Sequence, residues 1–422
     1  MKEMTFKKIL LPVLALSLSL CLSAKGVAVK TGIEVLRDSG FKGLVGKKVG
    51  LVTNPSGVDR ELRSTIDILY NAPGVKLVAL FGPEHGVRGD AWAGDYVPNT
   101  VDPATGLKVW SIYGPNREPT PEMLKGIDIM VYDIQDVGCR SYTFISTLGL
   151  VMRACSRLGI EVMVLDRPNP LGGNKIEGPL VRDGFFSFVS QYRIPYVYGL
   201  TVGELAVLIN EEGMNRGQNG KETPLKCDLT VVPMEGWTRD MLYDDTGLPW
   251  IMPSPNIPYA KTTIDYPSSG LCGELYGYLN IGIGYTIPFG AFAAPWIDAD
   301  KLKAELDSYN LPGVAFRTIH YKPIAGSNSG KLIHGVQFSY TDFEKATITL
   351  TQFYVMQAVK KLYPDRNPFT LAKDRLGMFH KVCGTDYVRK TFETRMKVDD
   401  IKEYWNADVE SFRTLARRYY IY

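Results

Sequence analysis

Histidine is the scarcest residue type here. Four imidazoles in 422 residues (His85, His320, His334 and His380) are too few and too scattered to build a multi-histidine metal site. Cysteine is nearly as rare, six in all and with no CxxC pair. Beyond Cys21 there remain Cys139, Cys155, Cys227, Cys272 and Cys383, an odd number at wide spacing, which read as small core residues and not as a disulfide framework. Charge of one sign is also lacking: 48 Lys and Arg against 45 Asp and Glu leave +3, so no strong field draws the chain to nucleic acid. There is no internal repeat, no low-complexity tract, and no apolar run reaching the ~20 residues that span a bilayer. What is present, 45% hydrophobic and 22% charged residues, suits a globular chain with two or three domains.

The first residues read as a targeting segment. Lys2, Lys7 and Lys8 precede the apolar stretch Ile9–Leu22, and Ser23-Ala24 offers a cleavage site, the pattern of a secretory signal over residues 1–24. Cys21 raises lipidation, but Leu20 stands where a small residue is expected. The expectation is an exported, periplasmic protein, close to neutral after cleavage and without a permanent transmembrane segment.

From Lys47 onward, short apolar runs alternate with amphipathic stretches. Strands are expected at 47–53, 75–81, 107–113, 127–134, 161–165 and 229–233. Helices are expected at 65–71, 121–125, 144–158 and 201–210, the last with Thr201 and Glu204 as a capping box. This rhythm predicts a Rossmann-like parallel sheet covered on both faces. The second part, from about residue 256 to 422, offers helices at 297–306, 352–363 and 398–404 and strands at 336–339 and 347–351. No GxGxxG follows the first strand, so the sheet does not imply a nicotinamide cofactor, and no cofactor or metal is called for.

Ligands of open α/β sheets bind beyond the carboxyl ends of the strands, and here those ends carry three polar constellations. Gly82-Pro83-Glu84-His85-Gly86 sets a carboxylate beside an imidazole. Burial against the preceding apolar strand would favour the protonated Glu84, suited to a general acid; the alternative is a helix cap. Asp133-Ile134-Gln135-Asp136 is followed by Arg140 and Tyr142. Arg140 could grip an anionic substrate or form a structural ion pair with Asp136. Asp166-Arg167-Pro168-Asn169-Pro170 is a loop locked by two prolines. Two carboxyl groups suffice for glycoside hydrolysis, and Trp92, Trp110, Tyr113, Tyr192, Tyr196, Tyr198, Trp237 and Trp250 lie near the loops, as in carbohydrate clefts. A magnesium site using Asp133, Asp136 and Asp166 is the weaker reading, since no spacing here is specific for metal.

In order along the chain, Thr53-Asn54-Pro55-Ser56-Gly57, Phe81–Gly86, Asp133–Gly138, Leu165–Gly173, Leu200–Leu205 and Trp250–Pro258 resemble the signature blocks of the NamZ-type exo-β-N-acetylmuramidases. The resemblance implies a Rossmann-like domain over 27–255, a smaller α/β (α+β) C-terminal domain over 256–422, and a cleft between them. It implies release of N-acetylmuramic acid from the non-reducing end of peptidoglycan fragments, with a glycan or muropeptide as partner. Glu84 is then the catalytic carboxylate, with His85 beside it. Asn54, Asp133, Asp136, Arg140, Tyr142, Asp166, Arg167, Asn169 and Glu274 line the sugar site, and Arg140 or Arg167 meets the lactyl carboxylate. The pattern breaks at 273–286, where Glu274 keeps an acidic group but Ile283 replaces an arginine, and at Tyr198, where a histidine is common. A non-catalytic or altered-specificity glycan-binding relative is therefore the competing expectation.

Overall fold

The structure is a computed structural model and describes residues 28–89, 94, 95, 97–213 and 224–422. The expected leader with Cys21, and Trp92, lie outside the described residues. In chain order the strands of the main sheet are β1 (Lys48–Thr53), β2 (Lys76–Gly82), β3 (Thr100–Val101), β4 (Lys108–Ser111), β5 (Ile129–Asp133), β6 (Glu161–Leu165) and β7 (Leu229–Val232). They lie side by side as β3-β4-β2-β1-β5-β6-β7, and only the short edge strand β3 runs antiparallel to its neighbour. Every residue of β5 is buried, as a central strand covered on both faces requires.

Helices α1 (Gly32–Asp38) and α2 (Thr65–Tyr70) cover one face, through Ile33, Leu36, Ile66 and Leu69. Helices α3 (Phe144–Leu158) and α4 (Val202–Glu212) cover the other. The three- and four-residue apolar spacing of α3 becomes its buried stripe, and Gly159 ends the helix in the left-handed conformation. Thr201 and Glu204 form the expected capping box of α4. The 121–125 stretch, expected as a helix, is a series of turns.

The second part carries the antiparallel sheet β8-β10-β9, from β8 (Ala291–Ala294), β9 (Val314–Tyr321) and β10 (Ile333–Tyr340). Around it pack α5 (Thr262–Glu274), α6 (Ala299–Asp307), α7 (Thr351–Leu362), α8 (Pro368–Leu371), α9 (Leu376–Cys383), α10 (Tyr387–Arg395), α11 (Asp399–Asn406) and α12 (Val409–Ala416). The β-branched run at 347–351, expected as a strand, is instead a 3₁₀ turn leading into α7. Its backbone N–H groups are captured by the buried Glu177 carboxylate, which accepts from Ile348 N at 3.2 Å, Thr349 N at 2.9 Å and Thr349 Oγ1 at 2.6 Å. Among the described residues no helix is long and apolar enough to cross a membrane.

The two parts are knitted by buried polar groups from the 139–200 region. Lys175 Nζ donates to the carbonyls of Phe343 and Ala346 at 2.6 and 3.1 Å. Arg140, 0% exposed, donates to the carbonyls of Pro179 and Ile194 at 2.8 and 2.6 Å on one side, and of Val382 and Cys383 at 3.1 and 2.9 Å on the other. Gly384, at φ +80°, allows this approach, because a Cβ there would lie 2.8 Å from the guanidinium. Burial pulls the Arg140 pKa down to about 10, still a cation at neutral pH. Residues of α12 return to the first core, where Phe412 and Ala416 pack with the α3 and α4 side chains. Replacing Arg140 by Met, which fills the space but removes every donor, is expected to lower the unfolding free energy by about 3–5 kcal/mol, read from denaturant midpoints. A loss below about 1 kcal/mol would show that these carbonyls do not depend on the cation.

Candidate active site

A cavity of about 480 Å³ opens beyond the carboxyl ends of β2, β4 and β5 and is faced from the other side by α5, α9 and the 254–257 link. Three connections from the parallel sheet meet in its wall. Glu84 follows β2 in a turn closed by Gly86 N donating to the Pro83 carbonyl at 3.0 Å. His85 is buried and held at φ +73°, a left-handed conformation costing about 1–2 kcal/mol for a residue with a side chain. Such strain, fenced by Pro and Gly, aims the Glu84 side chain into the cavity.

Glu84 is arranged as a hydrogen-bond acceptor. Its Oε1 accepts from Tyr113 Oη at 2.8 Å and Gly94 N at 3.1 Å, and its Oε2 from Thr143 Oγ1 at 3.4 Å. Tyr113 lies just past β4, and Thr143 precedes α3, whose N-terminal dipole favours a negative charge. Burial and the adjacent carboxylate raise the Tyr113 pKa, so it stays a donor.

A second carboxyl lines the cavity, that of Glu274, the last residue of α5. Burial raises its pKa above the usual carboxylate range, against the opposing pull of Arg375, whose Nη2 is 3.6 Å away. A row of edge-to-face rings lines the same cavity: Phe144–Tyr142 at 5.0 Å, Tyr142–Tyr266 at 5.7 Å and Tyr266–Phe289 at 4.9 Å between centroids. Ser187 Oγ is buried in this wall without a hydrogen-bond partner among the described residues. Two cationic side chains complete it: Arg117, stacked 4.3 Å over Phe188, and Lys381 on α9.

Of the expected site residues, Glu84, His85, Tyr142 and Glu274 line this cavity. The other seven are built into the scaffold. Asp133 pairs with Arg167 at 2.5 and 2.9 Å and accepts from Thr65 Oγ1, while Arg167 also donates to the Val58 carbonyl. Asp136 accepts from Tyr198 Oη and from Gly138 N at 2.8 Å, and is not paired with Arg140. Asp166 accepts from Thr201 Oγ1, Gly203 N and Tyr422 Oη at 2.7–2.8 Å. Asn169 accepts from Leu171 N and donates to the Leu200 carbonyl, and Asn54 binds Ser56 and the Pro253 carbonyl. Arg140 is spent on the carbonyl cage described above. The void beside Arg167 and Gln135 holds only about 10 Å³, room for one water at most. The three aspartates thus do not converge on a common point, and neither Arg140 nor Arg167 reaches the cavity.

Tyr113, expected among the loop aromatics, and Thr143, which closes the Asp133–Tyr142 constellation, reach the cavity too. Arg117, Lys381 and the Tyr266–Phe289 pair do so without having been singled out in the sequence. Arg117 and Lys381 carry no local signal, because 264 residues of chain separate them.

Comparison with known proteins agrees with this architecture. Residues 49–261 match the family model described as exo-β-N-acetylmuramidase NamZ, N-terminal, and residues 264–422 match its C-terminal counterpart. The chain is 44% identical over 400 residues to the peptidoglycan β-N-acetylmuramidase NamZ of Bacillus subtilis (strain 168), covering 95% of this chain and 93% of that protein. Crystal structures of two DUF1343 family proteins from Bacteroides fragilis NCTC 9343 superpose on it. One is 53% identical with a TM-score of 0.87, over 94% of this chain and 99% of that one; the other is 29% identical with a TM-score of 0.73, over 93% and 99%.

The scaffold role of Asp136 has a pH signature. Burial outweighs its bonds from Tyr198 and Gly138 and pushes its carboxyl up to about 6. A carboxyl raised in the fold stabilises it fully below the ordinary value of 3.8, and this contribution is lost as pH rises through about 6. Asp136→Asn cannot titrate, so its stability relative to the unsubstituted protein is expected to rise by up to about 3 kcal/mol between pH 4 and pH 7. Chemical denaturation of both at several pH values reads this; a flat difference would place Asp136 among ordinary exposed carboxylates.

Proposed function

This chain belongs to the NamZ family of exo-β-N-acetylmuramidases, and from that membership and its two-carboxyl cavity we infer that it is a glycoside hydrolase acting on peptidoglycan fragments. The observation that carries the chemistry is the unequal setting of Glu84 and Glu274 on one cavity. Its reading as an exo-acting enzyme that frees N-acetylmuramic acid from the non-reducing end rests on the family. The cationic leader-like pattern of residues 1–24 supports export to the compartment that holds peptidoglycan.

In this reading Glu274 is the proton donor, in place of Glu84, whose carboxylate accepts three hydrogen bonds instead of offering a proton. Its carboxyl gives its proton to the glycosidic oxygen as the bond from the anomeric carbon to that oxygen breaks and the electron pair leaves with the oxygen. Glu84, held by three donors, serves the anomeric carbon as the carboxylate partner. Over the full reaction one water is consumed: its hydroxyl ends on the anomeric carbon and its proton restores Glu274. His85 fixes the turn that presents Glu84. Arg117 and Lys381 supply the positive charge for the lactyl carboxylate, and the Tyr142–Tyr266 rings offer a face for the sugar.

A chromogenic β-N-acetylmuramide is expected to be hydrolysed and the matching N-acetylglucosaminide not. Glu84→Gln should lower turnover by about 10²–10⁴-fold while leaving ligand-induced thermal stabilisation in place. Turnover of neither substrate, with binding intact, would support the competing glycan-binding role. The acid must be protonated to act, so kcat/KM should fall as pH rises through the raised Glu274 pKa; that alkaline limb should vanish in Glu274→Gln, and its survival there would assign the proton donor elsewhere.

A further inference from the structure

A second chamber of about 310 Å³ adjoins the first. Both share Ser141, Asn256, Tyr266, Glu274 and Phe289, so the two are continuous and Glu274 is the carboxyl that belongs to both. Their chemistry differs. The first chamber has Arg117 and Lys381 in its wall, whereas among the described residues no lysine or arginine lines the second. Its wall is instead Leu279, Ile281 and Ile283, with Ser327 and the amide of Asn256 as neutral polar groups. Asn280 fixes this wall by donating to the carbonyls of Ile283 and Ser327 at 3.1 and 2.7 Å. Tyr276, also in its lining, is 60% exposed.

We propose that this second chamber holds the uncharged sugar on the leaving side of the scissile bond, with Tyr276 as the stacking surface at its exit. The inference rests on the muramidase reading and adds a direction to it. An anionic sugar gains from the cationic first chamber, and a neutral N-acetylated sugar, with an apolar face and hydrogen-bonding rim, fits the second. The glycosidic oxygen then falls beside Glu274, the carboxyl common to both chambers. Ile283 becomes a residue that decides which leaving groups fit.

The test compares two substrates. One is the disaccharide of N-acetylmuramic acid β-linked to N-acetylglucosamine; the other is N-acetylmuramyl fluoride, whose one-atom leaving group needs no second chamber. Ile283→Trp, which fills the chamber, should lower kcat/KM for the disaccharide by about tenfold or more, through KM, and leave the fluoride within about twofold. Tyr276→Ala, at an exposed position that folding tolerates, should raise the disaccharide KM by about three- to tenfold and spare the fluoride. Unchanged disaccharide kinetics in the folded variants, or an equal fall for both substrates, would overturn the assignment. Fluoride hydrolysis without any disaccharide hydrolysis by the unsubstituted protein would overturn it too, while the muramidase reading survived. Inactivity towards both would remove that reading and this inference together.

Discussion

A guanidinium sealed from water and facing no carboxylate is the constraint on which the rest of this molecule depends. Arg140 sits where the first and second parts meet: its Nη donors are divided between backbone carbonyls of the two, and its Nε donates to Ser190 Oγ. Taking a cation out of water costs several kcal/mol, and the carbonyl dipoles recover that cost only if all stay in place. The arrangement therefore fixes the relative position of the 179–194 and 382–384 segments. Those segments carry or adjoin Ser187, Phe188 and Lys381, which line the cavity. Lys175 and Glu177 extend the same lock to the 343–349 segment. A cleft between two parts commonly opens and closes; here buried charge and a shared core hold its walls.

The same economy separates two classes of acidic residue. Asp133, Asp136 and Asp166 stand at strand ends where a ligand is expected, yet each is held by donors from its own scaffold. They hold the connections after β5 and β6 in register. Glu84 and Glu274 stand off the sheet, half-buried, with part of each carboxyl turned to a cavity large enough for a sugar. One ends in a nest of donors at a helix start and the other at a helix end beside apolar surface. That asymmetry is what acid and base chemistry in one site requires.

The alternation of strands and helices in the first half was legible because burial on both sheet faces leaves continuous apolar runs, and 144–158 and 161–165 emerge with the expected bounds. The second part was less legible. Helix α5 carries an internal Pro267 and little apolar periodicity, and the 347–351 run looks like a strand until the Glu177 carboxylate claims its N–H groups. Glu84 could be found from its local setting of Gly, Pro and His. Arg140 and Arg167 could not be told from substrate-binding arginines, since what decides their role is the carbonyls and carboxylate that tertiary folding brings to them. Arg117 and Lys381, with no motif around them, illustrate the converse.

The long reach of the buried contacts has a consequence for how the chain acquires its structure. Arg140 finds its last two acceptors 242 and 243 residues further on, and Asp166 finds Tyr422 after 256. Contacts so distant close late, because the entropy of the intervening loop is lost before they repay it. A nascent first half would hold an unshielded cation and an incomplete core, since Phe412 and Ala416 are missing from it. Its sheet therefore gains its full cover only when the last residues of the chain join it. Until then the polypeptide remains pliable, and the order in which its parts are made sets the order in which they can lock.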